Sequence, residues 1–418
     1  MSFSNVTMYC SAGFWVSVLG GVMLGSAASS AAGADAQPAP RVFVLRAESL
    51  ALAKQRLAAG DAQLDAALKE LLTEADAALP APTPSVMDKP AAPPSGDKHD
   101  YMSLSPYWWP DPDTADGLPY VRRDGEVNPE RKKYDVTTMG AMVRAVKVLG
   151  FAYYFTGEER YAQKAAEFLR VWFVDPATRM NPNLTYAQGV PGRADGRCYG
   201  IIDTAHWPSL IDAIALVEPS PAWSADDRRI LREWFRQYLD WLLTSPAGVL
   251  EASQRNNHAT WYAVQATAYA LFVDDADRAK ALLERVQYFI AHQIEPDGGQ
   301  PHEIARTKGL SYSSYNLSAF LHAARLGEHV GMDLWTYETD DGRSIRKALE
   351  YLIPYGLGEK EWTAKQITSW HLSPELLRRA ATGFRDARYE QVITKLPADA
   401  QRALPRLNLL ECGRYGDP

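Results

Sequence analysis

The chain is predicted to be all-α, its helical hairpins closing into an (α/α) toroid. From residue 134 onward, stretches with apolar positions at three- and four-residue steps recur, each closed by Gly, Pro or an Asp/Ser/Thr cluster. No alternating strand of six or more residues interrupts them between 134 and 355. Short connections between such helices imply stacked helical hairpins. Two architectures fit, an open solenoid or a closed ring whose inner helices line a cleft. No repeat of fixed period is visible, which weakens the solenoid, and the 12 Trp and 21 Tyr suit a ring around a groove.

The first forty residues stand apart from this pattern. "AGFWVSVLGGVMLGSAASSAAGADAQPAP" is an apolar run, then small residues with two A-x-A patterns, then a Pro-rich exit. This is a signal-peptide layout, although no Lys or Arg precedes the apolar run, and the run falls short of the ~20 residues a membrane span needs. Residues 1–36 are therefore expected to be an export signal and 37–418 a single domain that is periplasmic or secreted. Residues 47–79 read as one or two amphipathic helices, and the Pro-rich 80–100 as a loop or linker. Helices are predicted near 136–156, 158–173, 202–217, 225–244, 256–273, 275–293, 313–330 and 342–353, with Thr156 as N-cap of the second. One or two more are expected after 355.

The formal charge of -7 argues against a nucleic-acid partner. Cys198 and Cys412 remain beyond the expected signal, and an oxidising compartment permits either a pair or two free thiols. His322 and His329, seven apart, lack a nearby carboxylate set, so neither a metal nor another cofactor is expected.

Three segments carry chemistry. In "YMSLSPYWWPDPD", Tyr107, Trp108 and Trp109 precede two prolines in an extended loop, where flat rings can stack on the apolar faces of sugars. In "NNHATWYAVQATAYALF", Asn257 and His258 open a helix, placing donors at a positive dipole end as a carboxylate site would require; Trp261 follows on the same helix. Downstream, "PHEIARTKGLSYSSYN" gathers Glu303, Arg306, Lys308, Tyr312 and Tyr315, with Arg306 able to clamp a carboxylate and Tyr312 able to give and take a proton on one oxygen. "GRADGRCYGIIDTAHW" adds Arg193, Arg197, Tyr199 and His206, which with Arg255 and Lys308 would form a cationic lining for an acidic polymer.

"YWWPDP", "GIIDTAHW", "NNHATWY" and "EIARTKGLSY", in that order over roughly 100–330, resemble the alginate-lyase superfamily of α/α-toroid polysaccharide lyases. The resemblance implies that Asn257, His258, Arg306 and Tyr312 are the catalytic set, and it extends to His206. Arg306 and Tyr312 are six apart, against the seven of typical alginate lyases, and this spacing resembles polysaccharide lyase family 38, the subgroup that includes glucuronan lyases. The implied reaction is β-elimination on a 4-linked uronate: Asn257, Arg306 and His258 neutralise the carboxylate, and a partly deprotonated Tyr312 removes H5 and protonates O4. One tyrosine can do both where H5 and O4 share a face, as in β-D-glucuronate and β-D-mannuronate; α-L-guluronate would need a second group, with His258 the natural one. Substrate contacts are expected from Tyr107, Trp108, Trp109, Arg197, His206, Arg255, Trp261, Glu303, Lys308 and Tyr315. The expected substrate is β-1,4-glucuronan, with poly-β-D-mannuronate as the alternative. Two readings of other classes are a glycoside hydrolase, using two of Asp135, Asp203, Glu295, Asp297 and Glu303, and a non-catalytic polysaccharide binder.

Overall fold

A computed structural model describes residues 39–402, 407–413 and 415–416. The expected export signal, residues 1–36, lies outside the described residues. Residues 39 onward form one unit.

The amphipathic opening divides into α1 (Ala47–Ala58) and α2 (Ala62–Ala78), broken at Gly60 and restarted by the Asp61 carboxylate, which caps the backbone N–H groups of Gln63 and Leu64. A loop then leads to four very short strands. β1 (Met102–Leu104) runs parallel to β4 (Tyr186–Gly189), and β2 (Trp108–Trp109) pairs antiparallel with β3 (Val121–Arg122).

The helices between and beyond them are α3 (Asp135–Thr156), α4 (Glu159–Leu169), α5 (Trp207–Val217), α6 (Ala225–Thr244), α7 (Pro246–Ala252), α8 (Asn257–Phe272), α9 (Ala276–Gln293), α10 (Pro301–Ile304), α11 (Gly309–Glu328), α12 (Ile345–Gly356), α13 (Pro374–Phe384), α14 (Arg388–Lys395), α15 (Ala398–Arg402) and α16 (Leu407–Cys412). Thr156 is not an N-cap; it ends α3, donating to the Ala152 carbonyl, and Glu158 precedes α4 instead.

α3, α5, α8, α11 and α13 pack in succession as the inner ring, and α16 and α2 close it back onto α3. The fold is an (α/α) toroid. The inner helix α8 is the least amphipathic, because it is covered on almost every side. Every residue of α8 is buried except His258. Close helix contact depends on glycine at Gly150 of α3, where a Cβ would stand 2.8 Å from the Ala213 carbonyl oxygen of α5.

One buried carboxylate straps the N-terminal segment to the ring. Asp212 of α5 accepts from the backbone N–H groups of Phe43, Val44 and Leu45 at 2.6, 2.9 and 2.6 Å, and Arg325 of α11 donates to the Leu45 carbonyl. Burial pushes the Asp212 carboxyl up to about 6 despite these three donors. Asp212→Asn turns one acceptor into a donor facing backbone N–H groups, so a loss of about 2 kcal/mol is expected, read as a lower urea midpoint at unchanged slope.

Candidate active site

A cleft of about 1040 Å³ opens where β4, the 198–204 turn, the start of α8 and the start of α11 meet the aromatic loop. Its lining includes Tyr107, Trp108, Arg197, Asn257, His258, Arg306, Tyr312 and Tyr315 from the sequence-derived set. The structure thus brings all four proposed catalytic residues into one cavity.

Asn256 caps α8, its side chain accepting from the His258 backbone N–H, so Asn257 and His258 occupy the first turn of the helix. Each is held from beneath by a buried acid. The Asn257 backbone N–H and side-chain amide donate to the two oxygens of Glu303 at 2.6 and 2.7 Å. His258 Nδ1 lies 2.6 Å from Glu251 Oε1 on α7. Glu303 and Glu251 are 1% and 0% exposed, so both face protein rather than water. Burial raises the Glu303 carboxyl above the usual range, while the two Asn257 bonds pull it down.

Elsewhere in the lining, Tyr312 donates to the Tyr107 hydroxyl at 2.7 Å and accepts from Arg306 Nη2 at 2.9 Å, and the Arg306 guanidinium stacks 4.0 Å from the Tyr312 ring centroid. Arg306 is also bound by Asp124, with Nη2 at 2.8 Å, and Thr307 donates to the same carboxylate at 3.0 Å. Burial works to raise the Asp124 carboxyl, but the bonds from Arg306 and Thr307 hold it well below the usual range. Tyr312 goes the other way from the partly deprotonated state expected of it. Burial, then the Tyr107 hydroxyl, hold its phenol well above the usual range against the pull of Arg306, whose charge is shared with Asp124. Near neutral pH this favours Tyr312 as a neutral phenol.

Arg197 is placed by bonds to Ser105 Oγ (2.6 Å) and the Gln188 carbonyl (3.2 Å), beneath the Trp108 and Tyr199 rings. Burial lowers its proton affinity, and it makes no ion pair with a carboxylate among the described residues. Gln188 holds φ at 49°, a left-handed backbone that a non-glycine residue sustains only where its surroundings impose it. They do here: its N–H donates to Ser103 Oγ and its side chain to Asp203, which also binds Tyr101 and Ser103.

Several expected substrate contacts fall elsewhere. Glu303 is spent on Asn257 below the cleft. Trp261 is 4% exposed and packs under Tyr315, donating to its carbonyl. Trp109 alternates with Trp108 along β2, so it leaves the lining and bonds the Glu126 carbonyl. Arg255 is exposed beside the lining residues Gln254 and Asn256 but does not join them. Lys308 precedes α11 outside the lining, its ammonium 6.0 Å from the Tyr107 ring centroid. His206 sits before α5, outside the lining, with Lys147 and Glu375 as its charged neighbours. Arg193 stacks on Trp108 from 5.4 Å. Cys198 and Cys412 are both free thiols. Sequence reasoning missed Gln188, Gln254, Asn256, Asp124 and Glu251. Of these only Asn256, in the doubled "NN", carried a local signal.

The hydrolase reading needs two carboxylates facing each other across the cleft. Asp135 is buried against Lys89 at 3.1 Å, Asp203 bonds the cleft wall, and Glu303 is engaged beneath it. Glu295 and Asp297 do not line the cleft. Among the described residues, no cluster of His, Cys, Asp and Glu could hold a metal ion.

Comparison with known proteins is consistent with this geometry. The alginate lyase family matches residues 85–362. The crystal structure of an alginate lyase from Bacteroides ovatus superposes with a TM-score of 0.84 at 42% identity, covering 89% of this chain and 99% of that one. Alginate lyase A1-III from Sphingomonas species A1 shares the fold, with a TM-score of 0.56 at 19% identity over 87% of this chain and 94% of that one. A variant of A1-III complexed with a tetrasaccharide superposes with a TM-score of 0.56 at 17% identity, covering 90% of this chain and 97% of that one. No curated protein matches the chain.

Proposed function

The chain belongs to the alginate lyase family and is a polysaccharide lyase, and from that premise we propose that it cleaves a β-1,4-linked polyuronate by syn β-elimination, leaving a 4,5-unsaturated uronate end. The observation that carries the proposal is that the Arg306–Tyr312–Tyr107 chain lines the same cleft as Asn257 and His258. Asn257, His258 and Arg306 offer donors to a carboxylate whose charge grows as H5 becomes acidic, which stabilises the transition state more than the substrate. Tyr312 as a phenol is ready to protonate O4. To act as base it first loses that proton to solvent, the Arg306 N–H at 2.9 Å supporting the phenolate. The phenolate then takes H5, and the same proton passes to O4 as the C4–O4 bond breaks, which regenerates the phenolate.

The six-residue step from Arg306 to Tyr312 favours glucuronan as substrate. The likeness to an alginate lyase from Bacteroides ovatus favours alginate as the second reading, and the shared face of H5 and O4 narrows this to its poly-β-D-mannuronate. Incubating the purified protein with glucuronan, polymannuronate and polyguluronate, and following ultraviolet absorbance, tests both. The expected order is glucuronan first. Faster cleavage of polymannuronate would establish the second reading, and reducing ends without the chromophore would remove the elimination mechanism. Export is also proposed, from the layout of residues 1–36; N-terminal sequencing of protein recovered outside the cytoplasm checks it.

Arg197 supplies a guanidinium with no carboxylate bound to it among the described residues, placed beside the Trp108 ring. Arg197→Gln is expected to raise KM for polyuronate about tenfold while changing kcat less than about threefold, because its contact serves ground state and transition state alike.

A further inference from the structure

Glu251 does not line the cleft, yet it is among the most deeply buried acids described. We infer that Glu251 is the positioning residue of His258: its carboxylate accepts a hydrogen bond from Nδ1–H, so that Nε2 is the atom His258 turns to the cleft. The inference concerns the site proposed above and rests on that reading only for its catalytic consequence.

Four observations converge. The Nδ1 to Oε1 distance is 2.6 Å, short enough for a strong bond to a carboxylate. Glu251 is 0% exposed and ends the short helix α7, so its carboxylate cannot swing to water. His258 is the one residue of α8 that is not buried, so the ring bridges the buried acid and the open cleft. Tyr199 meets the imidazole edge-on at 5.0 Å and 70°, restricting its rotation.

The charged and titratable groups around the pair agree with a fixed acceptor at Oε1. Cys198 stands against the same carboxylate and is pushed up to about 12 by burial and by Glu251, so it stays a thiol. From the same turn, Arg197 and Tyr199 face the pair. Glu303 approaches from α10 and is committed to Asn257. Tyr262 and Tyr315 feel the Glu251 charge from α8 and α11, and burial, the largest cause in each, keeps both as phenols. None of these supplies a competing hydrogen bond to Nδ1. A carboxylate that holds one imidazole nitrogen in this way fixes tautomer and ring direction together.

The test is nitrogen-15 NMR of the His258 ring in the full protein, titrated without substrate. Nδ1 is expected to remain protonated at every pH while Nε2 alone gains and loses its proton. In Glu251→Gln, whose amide can donate to Nδ1, a substantial population with the proton on Nε2 is expected when the ring is neutral, with kcat falling about 10–100-fold. A native ring carrying its neutral-state proton on Nε2 would overturn the inference, as would a variant with native tautomer and native kcat. Should the variant not fold, the native titration decides alone. The spectra do not depend on turnover, so failure to cleave any polyuronate would count against the proposed function and leave this assignment standing.

Discussion

Tyr312→Phe is expected to reduce elimination by about 10³-fold while leaving oligouronate binding, measured calorimetrically, within a few fold of native. The substitution removes only the oxygen that donates to Tyr107 and accepts from Arg306, and Arg306 keeps its second partner, Asp124. Proton transfer by a placed group contributes ~10²–10⁴ per step, and here one oxygen is asked to serve in two. The native pH profile should carry the same signature. Burial and Tyr107 hold the phenol above its usual range, so near neutrality the base form is a small fraction. That fraction grows about tenfold per pH unit below the phenol's titration, and kcat/KM should climb with pH through the mildly alkaline range. Near-normal turnover in the variant, or a native profile that is flat there, would remove Tyr312 from the role of base.

Glu303→Gln has the next largest expected effect, although the residue does not line the cleft. Glu303 accepts two N–H bonds from Asn257, one from the backbone and one from the side chain, in a place closed to water. Glutamine has the same size but only one acceptor oxygen, so an amide donor must face one of the two N–H groups. An unsatisfied buried donor costs about 1–3 kcal/mol. The stability loss should appear in a urea midpoint, together with a kcat loss of about 10²-fold as Asn257 leaves its position in the cleft. Native stability and turnover in this variant would show that Asn257 is placed by α8 alone.

The contrast between Glu303 and Asn257 shows what the sequence could reveal. The helices were legible because their signals are local. Ser224 and Asp227 form a capping box three residues apart at the start of α6, and proline stands in the first turn of α5, α7 and α13. The four proposed catalytic residues were legible because each sits in a distinctive short motif. What escaped was the support beneath and across from them. Asp124 reaches Arg306 over 182 residues, and Tyr107 reaches Tyr312 over 205. Glu251 is only seven residues from His258, but it lies on a separate helix whose turn toward α8 has no periodicity to read. Glu303 was misassigned to substrate because an acid next to an arginine reads as a surface group until burial is known. Trp261 failed similarly, since an aromatic ring near a site has the same letter whether it meets substrate or the back of another ring.

The bond between Asp124 and Arg306 changes how selectivity for acidic polymers works. The guanidinium is not an empty positive hole, because one of the protein's own carboxylates already satisfies it. A neutral glucan offers nothing that could replace that carboxylate and so gains no attraction there. A uronate offers a group of the same charge and shape, and can exchange with Asp124 like for like. On the proposed mechanism, discrimination at this position is therefore a competition between two carboxylates for one guanidinium, decided by fit as well as by charge.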